Sequence, residues 1–242
     1  MNEINIDTMA LMESISTLSV TNINERFSPD MSVRDVIATI QEEASVFSNE
    51  RFERYLKRSK IVTPHYIQDF KVLKERTVDF EYLQQLNTLS FVNEERNLII
   101  YGPSGTGKTW IGKMIATTAC SKALRVKWIE FPDLYEELSR LYSSLEKQTL
   151  SSRLAYYSRF DLLCIDEFPS VSNMNSMLVQ QIFNVLYKSH CSLLICTQMN
   201  PDKIDCVFDN GLGESIRGRI LERAKRLKVD GEDLRLHESL IH

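Results

Sequence analysis

Asn97-Leu-Ile-Ile-Tyr-Gly-Pro-Ser-Gly-Thr-Gly-Lys-Thr-Trp110 is the stretch that decides the fold of this 242-residue chain. Its apolar start, residues 98–101, predicts a buried strand, and the next eight residues match G-x-x-x-x-G-K-[ST], the pattern of a phosphate-binding loop. Apolar residues at helical spacing follow Trp110. Strand, loop and helix therefore occur in the order that such a loop requires.

Each residue type in this loop has a chemical reason to be there. Glycines let backbone N–H groups turn toward a phosphate, and the N-terminus of the following helix adds a partial positive charge. The ammonium of Lys108 is suited to the β- and γ-phosphates, and the hydroxyl of Thr109 is suited to Mg²⁺. The residues predicted to bind the nucleotide are Gly102, Pro103, Ser104, Gly105, Thr106, Gly107, Lys108 and Thr109.

Two further apolar runs end in polar side chains. Residues 162–165 lead into Asp166 and Glu167, at the strand end where ligands of α/β sheets bind. Asp166 is predicted to hold Mg²⁺, directly or through water, and Glu167 to orient and polarise the attacking water. Residues 192–196 lead toward Gln198, whose amide would touch the γ-phosphate or the lytic water. The alternatives are a solvent-exposed acidic strand end and an amide that caps a loop.

The alternation of apolar runs and helical patterns predicts an α/β fold. Continuous apolar strands separated by helices indicate a parallel sheet that helices cover on both faces. The strands are predicted at residues 98–101, 124–131, 162–165, 192–196 and 227–229. A long helix is predicted from Pro132, because leucines at positions 134, 138, 141 and 145 recur at helical spacing.

The first part of the chain predicts a small helical domain, residues 1–63, followed by a linker, residues 64–77, and an ATPase domain, residues 78–242. Residues 1–28 have weak periodicity and are either loose or packed on a partner. Ser32 and Asp35 have the spacing of a capping box that begins a helix, and a second helix is predicted at residues 49–60.

Composition excludes several classes of protein. No run approaches the roughly 18–20 apolar residues of a membrane span, and the N-terminus lacks the basic and apolar regions of a secretory signal. We therefore expect a cytoplasmic protein without a membrane partner. The five cysteines form no C-x-x-C pair, so we interpret them as small hydrophobic residues rather than zinc ligands.

The net charge of −4 is unevenly distributed. Residues 1–50 carry a net charge of −7, and residues 51–242 carry a net charge of +3. Two basic runs stand out, residues 51–60 with net +4 and residues 215–228 with net +5. Each is either a solvated helix face or a surface that contacts phosphates.

Together, these motifs resemble the Walker A, Walker B and sensor elements of AAA+ ATPases. Two flanking segments are more specific. Arg51-Phe-Glu-Arg-Tyr-Leu-Lys-Arg58 followed by Pro64-His-Tyr-Ile-Gln-Asp-Phe70 resembles the basic helix and linker of IstB-type transposition helpers. Gly218-Arg219-Ile-Leu and Gly231-Glu-Asp-Leu-Arg235 resemble the closing segment of that family. The chain is also similar to DnaC/DnaI-type helicase loaders.

The resemblance implies an ATPase that hydrolyses ATP with Mg²⁺, forms a homo-oligomeric ring or filament on double-stranded DNA, and assists a transposase. It places Arg219 as the arginine that completes a neighbouring subunit's ATP site. Arg217 and Arg223 are alternatives, because Gly218 stands where the family has Asp. Gln198 stands where the family usually has Asn, and only 13 residues follow Val229, so we expect a minimal or absent C-terminal lid.

Three functions remain open on the sequence. The first is the transposition helper, for which the DNA-contact candidates are Arg54, Lys57, Arg58, Arg140 and Lys147. The second is a replicative helicase loader with single-stranded DNA as its cofactor, in which the acidic residues 1–50 would contact the helicase. The third is a scaffold that binds ATP and barely hydrolyses it, against which Glu167 argues.

Overall fold

The computed structural model describes residues 31–70, 76–143, 147–171, 173–208 and 211–234. The chain divides into two compact units, Met1–Arg54 and Tyr55–His242. The first described element is helix α1 (Val33–Ser59). Its start has the capping box that the sequence predicts: the Ser32 hydroxyl accepts from the Asp35 backbone N–H at 3.3 Å and donates to the Asp35 carboxylate at 2.6 Å. The expectation for residues 1–28 lies outside the described residues.

The prediction of two helices in this region is wrong, because α1 is a single helix of 27 residues. Residues 41–48, where the break was expected, contain neither glycine nor proline. Gln, Glu and Ala in this segment favour the helical conformation, so nothing local stops the helix.

The remaining elements form an α/β unit. In chain order they are β1 (Arg76–Thr77), α2 (Phe80–Asn87), α3 (Ser90–Asn93), β2 (Asn97–Tyr101), α4 (Lys108–Ser121), β3 (Val126–Glu130), α5 (Phe131–Ser143), α6 (Lys147–Tyr157), β4 (Leu162–Asp166), α7 (Ser176–Tyr187), β5 (Ser192–Thr197), α8 (Leu212–Leu221), β6 (Ala224–Lys228) and β7 (Asp230–Gly231). Strands β2 to β6 form a parallel sheet in the order β3-β4-β5-β2-β6, and β1 pairs with β7 antiparallel. The predicted fold class is confirmed.

Alternate residues of the central strands face two different helical layers. Ile99, Leu163 and Ile195 belong to the core that helices α5 to α8 cover. Leu194 and Cys196 face α4, since a Cβ built at Gly112 would lie 3.3 Å from Leu194 and 2.9 Å from the Cys196 Sγ. Helices cover both faces of the sheet at these strands, and for this reason the strands have continuous apolar runs.

Strand β6 begins three residues earlier than predicted. It pairs with β2 from Asn97 opposite Ala224 to Tyr101 opposite Lys228, but only Leu227 in this strand is buried. Because β6 is an end strand of the sheet, most of its side chains are polar. Its hydrogen bonds to β2, rather than apolar packing, determine where the strand begins and ends. Among the described residues, which end at residue 234, no α-helix follows β6, and the minimal or absent C-terminal lid stays a prediction.

The long helix predicted from Pro132 is also corrected. Helix α5 ends at Ser143, and a second helix, α6, begins at Lys147, so Lys147 does not lie on the long helix. The signal for α6 was present, because Leu150, Leu154 and Tyr157 recur at helical spacing and all three are buried. Among the described residues, no helix is both long and apolar enough to cross a membrane.

Candidate active site

The phosphate-binding loop lies between the carboxyl end of β2 and the start of α4. Gly102 has φ +150°, and a Cβ there would lie 1.8 Å from the carbonyl oxygen of Val229. Val229 is held in place because its N–H donates to the Tyr101 carbonyl at 2.8 Å. Gly107 precedes α4 with φ +91°, a conformation that other residues rarely adopt. The loop therefore needs glycine at both its ends.

Two side chains of the loop bind its own backbone. The Lys108 ammonium donates to the Pro103 carbonyl at 2.5 Å, and the Thr106 hydroxyl donates to the same oxygen at 3.0 Å. Lys108 is buried although it is charged. Its ammonium thus lies inside the loop, close to the N-terminus of α4, where the helix dipole favours an anion.

Asp166, the last residue of β4, lies beside this loop. The Thr109 hydroxyl donates to Asp166 Oδ1 at 3.3 Å, and the Glu167 backbone N–H donates to the same oxygen at 3.0 Å. Burial raises the pKa of Asp166, and these two hydrogen bonds together with the charge of Lys113 partly counter it. A hydroxyl and a carboxylate side by side are oxygen ligands of the kind that Mg²⁺ prefers.

A cavity of about 390 Å³ joins the three predicted segments. Asp166, Glu167 and Gln198 line it, as do five of the eight predicted loop residues: Ser104, Gly105, Gly107, Lys108 and Thr109. They meet because β5 lies between β2 and β4, so the carboxyl ends of three neighbouring strands face one space. Glu167 and Gln198 are exposed at its mouth. The arrangement is able to hold a triphosphate, a cation and a water molecule together.

Three residues that the sequence analysis missed also line the cavity: His65, Trp110 and Lys113. The centres of the His65 and Trp110 rings lie 5.1 Å apart, and the backbone N–H of His65 donates to the Thr117 hydroxyl at 3.3 Å. Burial and the charge of Lys113 lower the pKa of His65. The sequence analysis assigned His65 to a linker. The only sequence signal for an aromatic side chain in the cavity was the tryptophan directly after Lys108-Thr109.

The structure does not bring Arg219 into this cavity. Arg219 lies on α8, where its guanidinium donates to the Ser215 carbonyl at 2.6 Å and to the Ser215 hydroxyl. Arg219 and Arg223 line a second cavity together with Asn97 and Leu193, which stand at the amino ends of β2 and β5. The phosphate-binding loop follows the carboxyl end of β2, so Arg219 lies at the opposite edge of the sheet.

Arg217, one of the alternatives to Arg219, faces its own chain. Its Nε atom lies 3.7 Å from Asp205 Oδ1, and neither atom has a hydrogen-bond partner among the described residues. Arg223 is exposed.

The five DNA-contact candidates lie in different settings. Arg54, Lys57 and Arg58 are exposed on α1. Arg140 is exposed on α5, but its guanidinium pairs with Glu136 one turn earlier on the same helix. Lys147 begins α6, and its side chain lies outside the described residues.

Comparison with known proteins identifies the family of the chain. The profile of a family described as "IstB-like ATP binding protein" matches residues 5–241. The chain is 29% identical to the ATP-binding protein assigned to insertion sequence IS232 of Bacillus thuringiensis subsp. berliner, over 66% of this chain and 67% of that protein. It is 22% identical to the corresponding protein of insertion sequence IS21 from Pseudomonas aeruginosa, over 94% of this chain and 86% of that protein.

Solved structures share the fold. The chain superposes on DnaI with a TM-score of 0.55 at 17% identity, over 70% of this chain and 89% of DnaI. It superposes on the DnaC helicase loader with a TM-score of 0.52 at 18% identity, over 73% and 99% of the two chains. For AMPPCP-bound DnaA from Aquifex aeolicus the TM-score is 0.53 at 22% identity, over 69% of this chain and 51% of the DnaA chain.

Proposed function

Because the chain belongs to the family of IstB-like ATP binding proteins, we propose that it is an AAA+ ATPase that assembles on double-stranded DNA and assists a transposase. The observation that carries the ATPase part is the cavity in which the phosphate-binding loop, Asp166, Glu167 and Gln198 meet. The transposase part is supported by the relatives, whose names assign them to insertion sequences.

In the proposed reaction, the triphosphate lies in the loop, and the Lys108 ammonium leaves the Pro103 carbonyl to contact the β- and γ-phosphates. Thr109 and Asp166 would hold Mg²⁺, which neutralises charge that develops on the phosphates. Glu167, exposed at the cavity mouth, accepts a hydrogen bond from the attacking water and orients it. Gln198 donates its amide N–H to the γ-phosphate or to this water. His65 and Trp110 present aromatic faces for the base.

We also propose that the ATP site is completed by a second copy of the chain. Arg219 lies at the amino edge of the sheet and the phosphate-binding loop at the carboxyl edge, so Arg219 reaches a γ-phosphate only across an interface between subunits. An arginine that arrives in trans stabilises transition-state charge and couples hydrolysis to assembly. Arg217 is less suited to this role, because it lies against Asp205.

A helicase loader is the second candidate, which the fold shared with DnaI and DnaC favours. Sedimentation of the purified chain distinguishes the two candidates. Large assemblies that require both a non-hydrolysable ATP analogue and duplex DNA are expected for the transposition helper. Assembly with single strands alone, or none without a replicative helicase, would favour the loader.

The Glu167→Gln variant separates assembly from hydrolysis in the same experiment. It is expected to form the assemblies with ATP itself while turnover falls by a factor on the order of 10² or more. Glu81→Gln, a change on the exposed side of α2, is the matched control and keeps wild-type turnover. Unchanged turnover in Glu167→Gln would show that another group activates the water.

A further inference from the structure

A buried lysine lies at the outer edge of the sheet, and no described residue pairs with it. Lys127 is the second residue of β3, the end strand, and its side chain is only 7% exposed. In the described ranges no residue forms a hydrogen bond or an ion pair with its ammonium, which nevertheless keeps contact with solvent. Lysines this deeply buried in proteins are almost always paired.

Two other cations lie near enough to Lys127 to act on its charge. Lys60, directly after α1, and Arg153 on α6 both lower the pKa of Lys127, although burial is the larger cause. We call Lys60, Lys127 and Arg153 the edge cation cluster. These charges are held together although they repel one another, and an anion that binds among them would relieve both the repulsion and the desolvation.

The Glu137 carboxylate does not neutralise the cluster. Glu137 on α5 raises the pKa of Lys127, but its carboxylate is already bound by the Arg153 guanidinium and by the Tyr157 hydroxyl, the latter at 2.7 Å. These bonds fix the Arg153 guanidinium, whose Cζ lies 5.3 Å from the centre of the Tyr157 ring. The cluster is therefore preorganised, and it retains an excess of positive charge.

The cluster is separate from the ATP cavity. Neighbouring residues of a strand point to opposite faces of a sheet, and Trp128 packs against α4, beside the cavity. Lys127 thus lies on the face of α5 and α6, away from the phosphate-binding loop. Lys57 and Arg58, both exposed in the last turn of α1, add two positive charges within three residues of Lys60 in the chain.

We propose that the edge cation cluster binds a backbone phosphate of double-stranded DNA. The inference rests on the proposed function, since it assigns the DNA contact to particular residues. A lysine ammonium is a compact charge that suits a phosphate oxygen, and such contacts position a protein on a duplex without reading its sequence. The ligand is a polyanion because the cluster, Lys57 and Arg58 together offer more positive charge than one small anion balances.

The Lys127→Met variant tests this assignment, because methionine keeps the unbranched stem and removes the charge. Binding of a fluorescent random duplex is measured by anisotropy over a range of KCl concentrations, with a non-hydrolysable ATP analogue. The slope of log K against log[KCl] is expected to fall in magnitude by about 1 relative to wild type. Lys203→Met, at an exposed position within the short segment Pro201–Val207, removes the same charge elsewhere and is expected to keep the wild-type slope.

Thermal unfolding provides a readout that a merely structural role would not produce. A folded-state pKa below its ordinary value means that folding disfavours the charged lysine, so Lys127→Met is expected to unfold at or above the wild-type temperature. If this variant fails to fold, Lys60→Met, at an exposed position, takes its place with the same expected slope.

An unchanged slope in Lys127→Met, while wild type binds duplex, would overturn the assignment and leave the proposed function intact. A reduced slope with single strands alone would overturn the choice of duplex. Wild-type protein that binds no duplex with any nucleotide would overturn the inference and the proposed function together.

Discussion

Replacing Gly102 by alanine is a direct test of how the end of the chain supports the phosphate-binding loop. The new Cβ would lie 1.8 Å from the Val229 carbonyl oxygen and 2.9 Å from its carbonyl carbon. Both are backbone atoms, so no side chain is able to rotate away. The backbone at Gly102 and the backbone at Val229 must separate by roughly 1.2 Å before the contact becomes tolerable. This separation would break the hydrogen bond of 2.8 Å that the Val229 N–H donates to the Tyr101 carbonyl.

The cost has two parts. Alanine at φ +150° adopts a conformation that is almost exclusive to glycine, at about 1–3 kcal/mol. Loss of the Val229–Tyr101 hydrogen bond adds about 0.5–1.5 kcal/mol. The free energy of unfolding should therefore fall by about 1.5–4.5 kcal/mol. For a domain of this size, that corresponds to a decrease in Tm of roughly 3–18 °C.

The assay is thermal unfolding without nucleotide, together with titration of a fluorescent ATP analogue, whose affinity should fall because the loop begins at Gly102. Gly218→Ala is the control: Gly218 lies within α8, and apart from its chain neighbours and the backbone of its own helix no described residue comes within 4 Å of the added Cβ. Alanine in a helix is favoured by about 0.5–1 kcal/mol over glycine, so this variant should be at least as stable as wild type. A Gly102→Ala protein with wild-type Tm would refute the argument from the close approach.

Three further outcomes are expected. Asp166→Asn should unfold at a higher temperature than wild type without nucleotide, and it should lose ATP turnover. Burial raises the pKa of Asp166, so the stability of the wild-type protein falls as the pH rises from the ordinary pKa of an aspartate through the raised one. A lower Tm in the variant would contradict this argument. Arg219→Ala should keep wild-type Tm and ATP affinity but lose assembly-dependent hydrolysis, whereas Arg217→Ala should lower the Tm because Asp205 loses its ion pair; equal behaviour of the two would contradict the assignment. A thiol reagent should label one cysteine per native chain rapidly, Cys206, since the other four are buried; peptide mapping that finds a second rapidly labelled thiol would contradict the packing.

Two elements were missed for different reasons. Helix α6 has an apolar spacing as clear as that of its neighbours, but the leucine pattern of α5 continues to position 145 and conceals the boundary. Strand β6 is polar because it is the last strand of the sheet, so its hydrogen bonds to β2 define it and its composition does not.

The sequence alone determined the α/β class, the phosphate-binding loop and the acidic strand end at Asp166, because each depends on residues that are close together in the chain. Only the tertiary structure decided which strands are neighbours. It thereby placed Gln198 beside Asp166, set Arg219 at the opposite edge of the sheet and left Lys127 buried among cations. These relations join residues that are far apart in the chain, and the free energy of packing the whole sheet selects them.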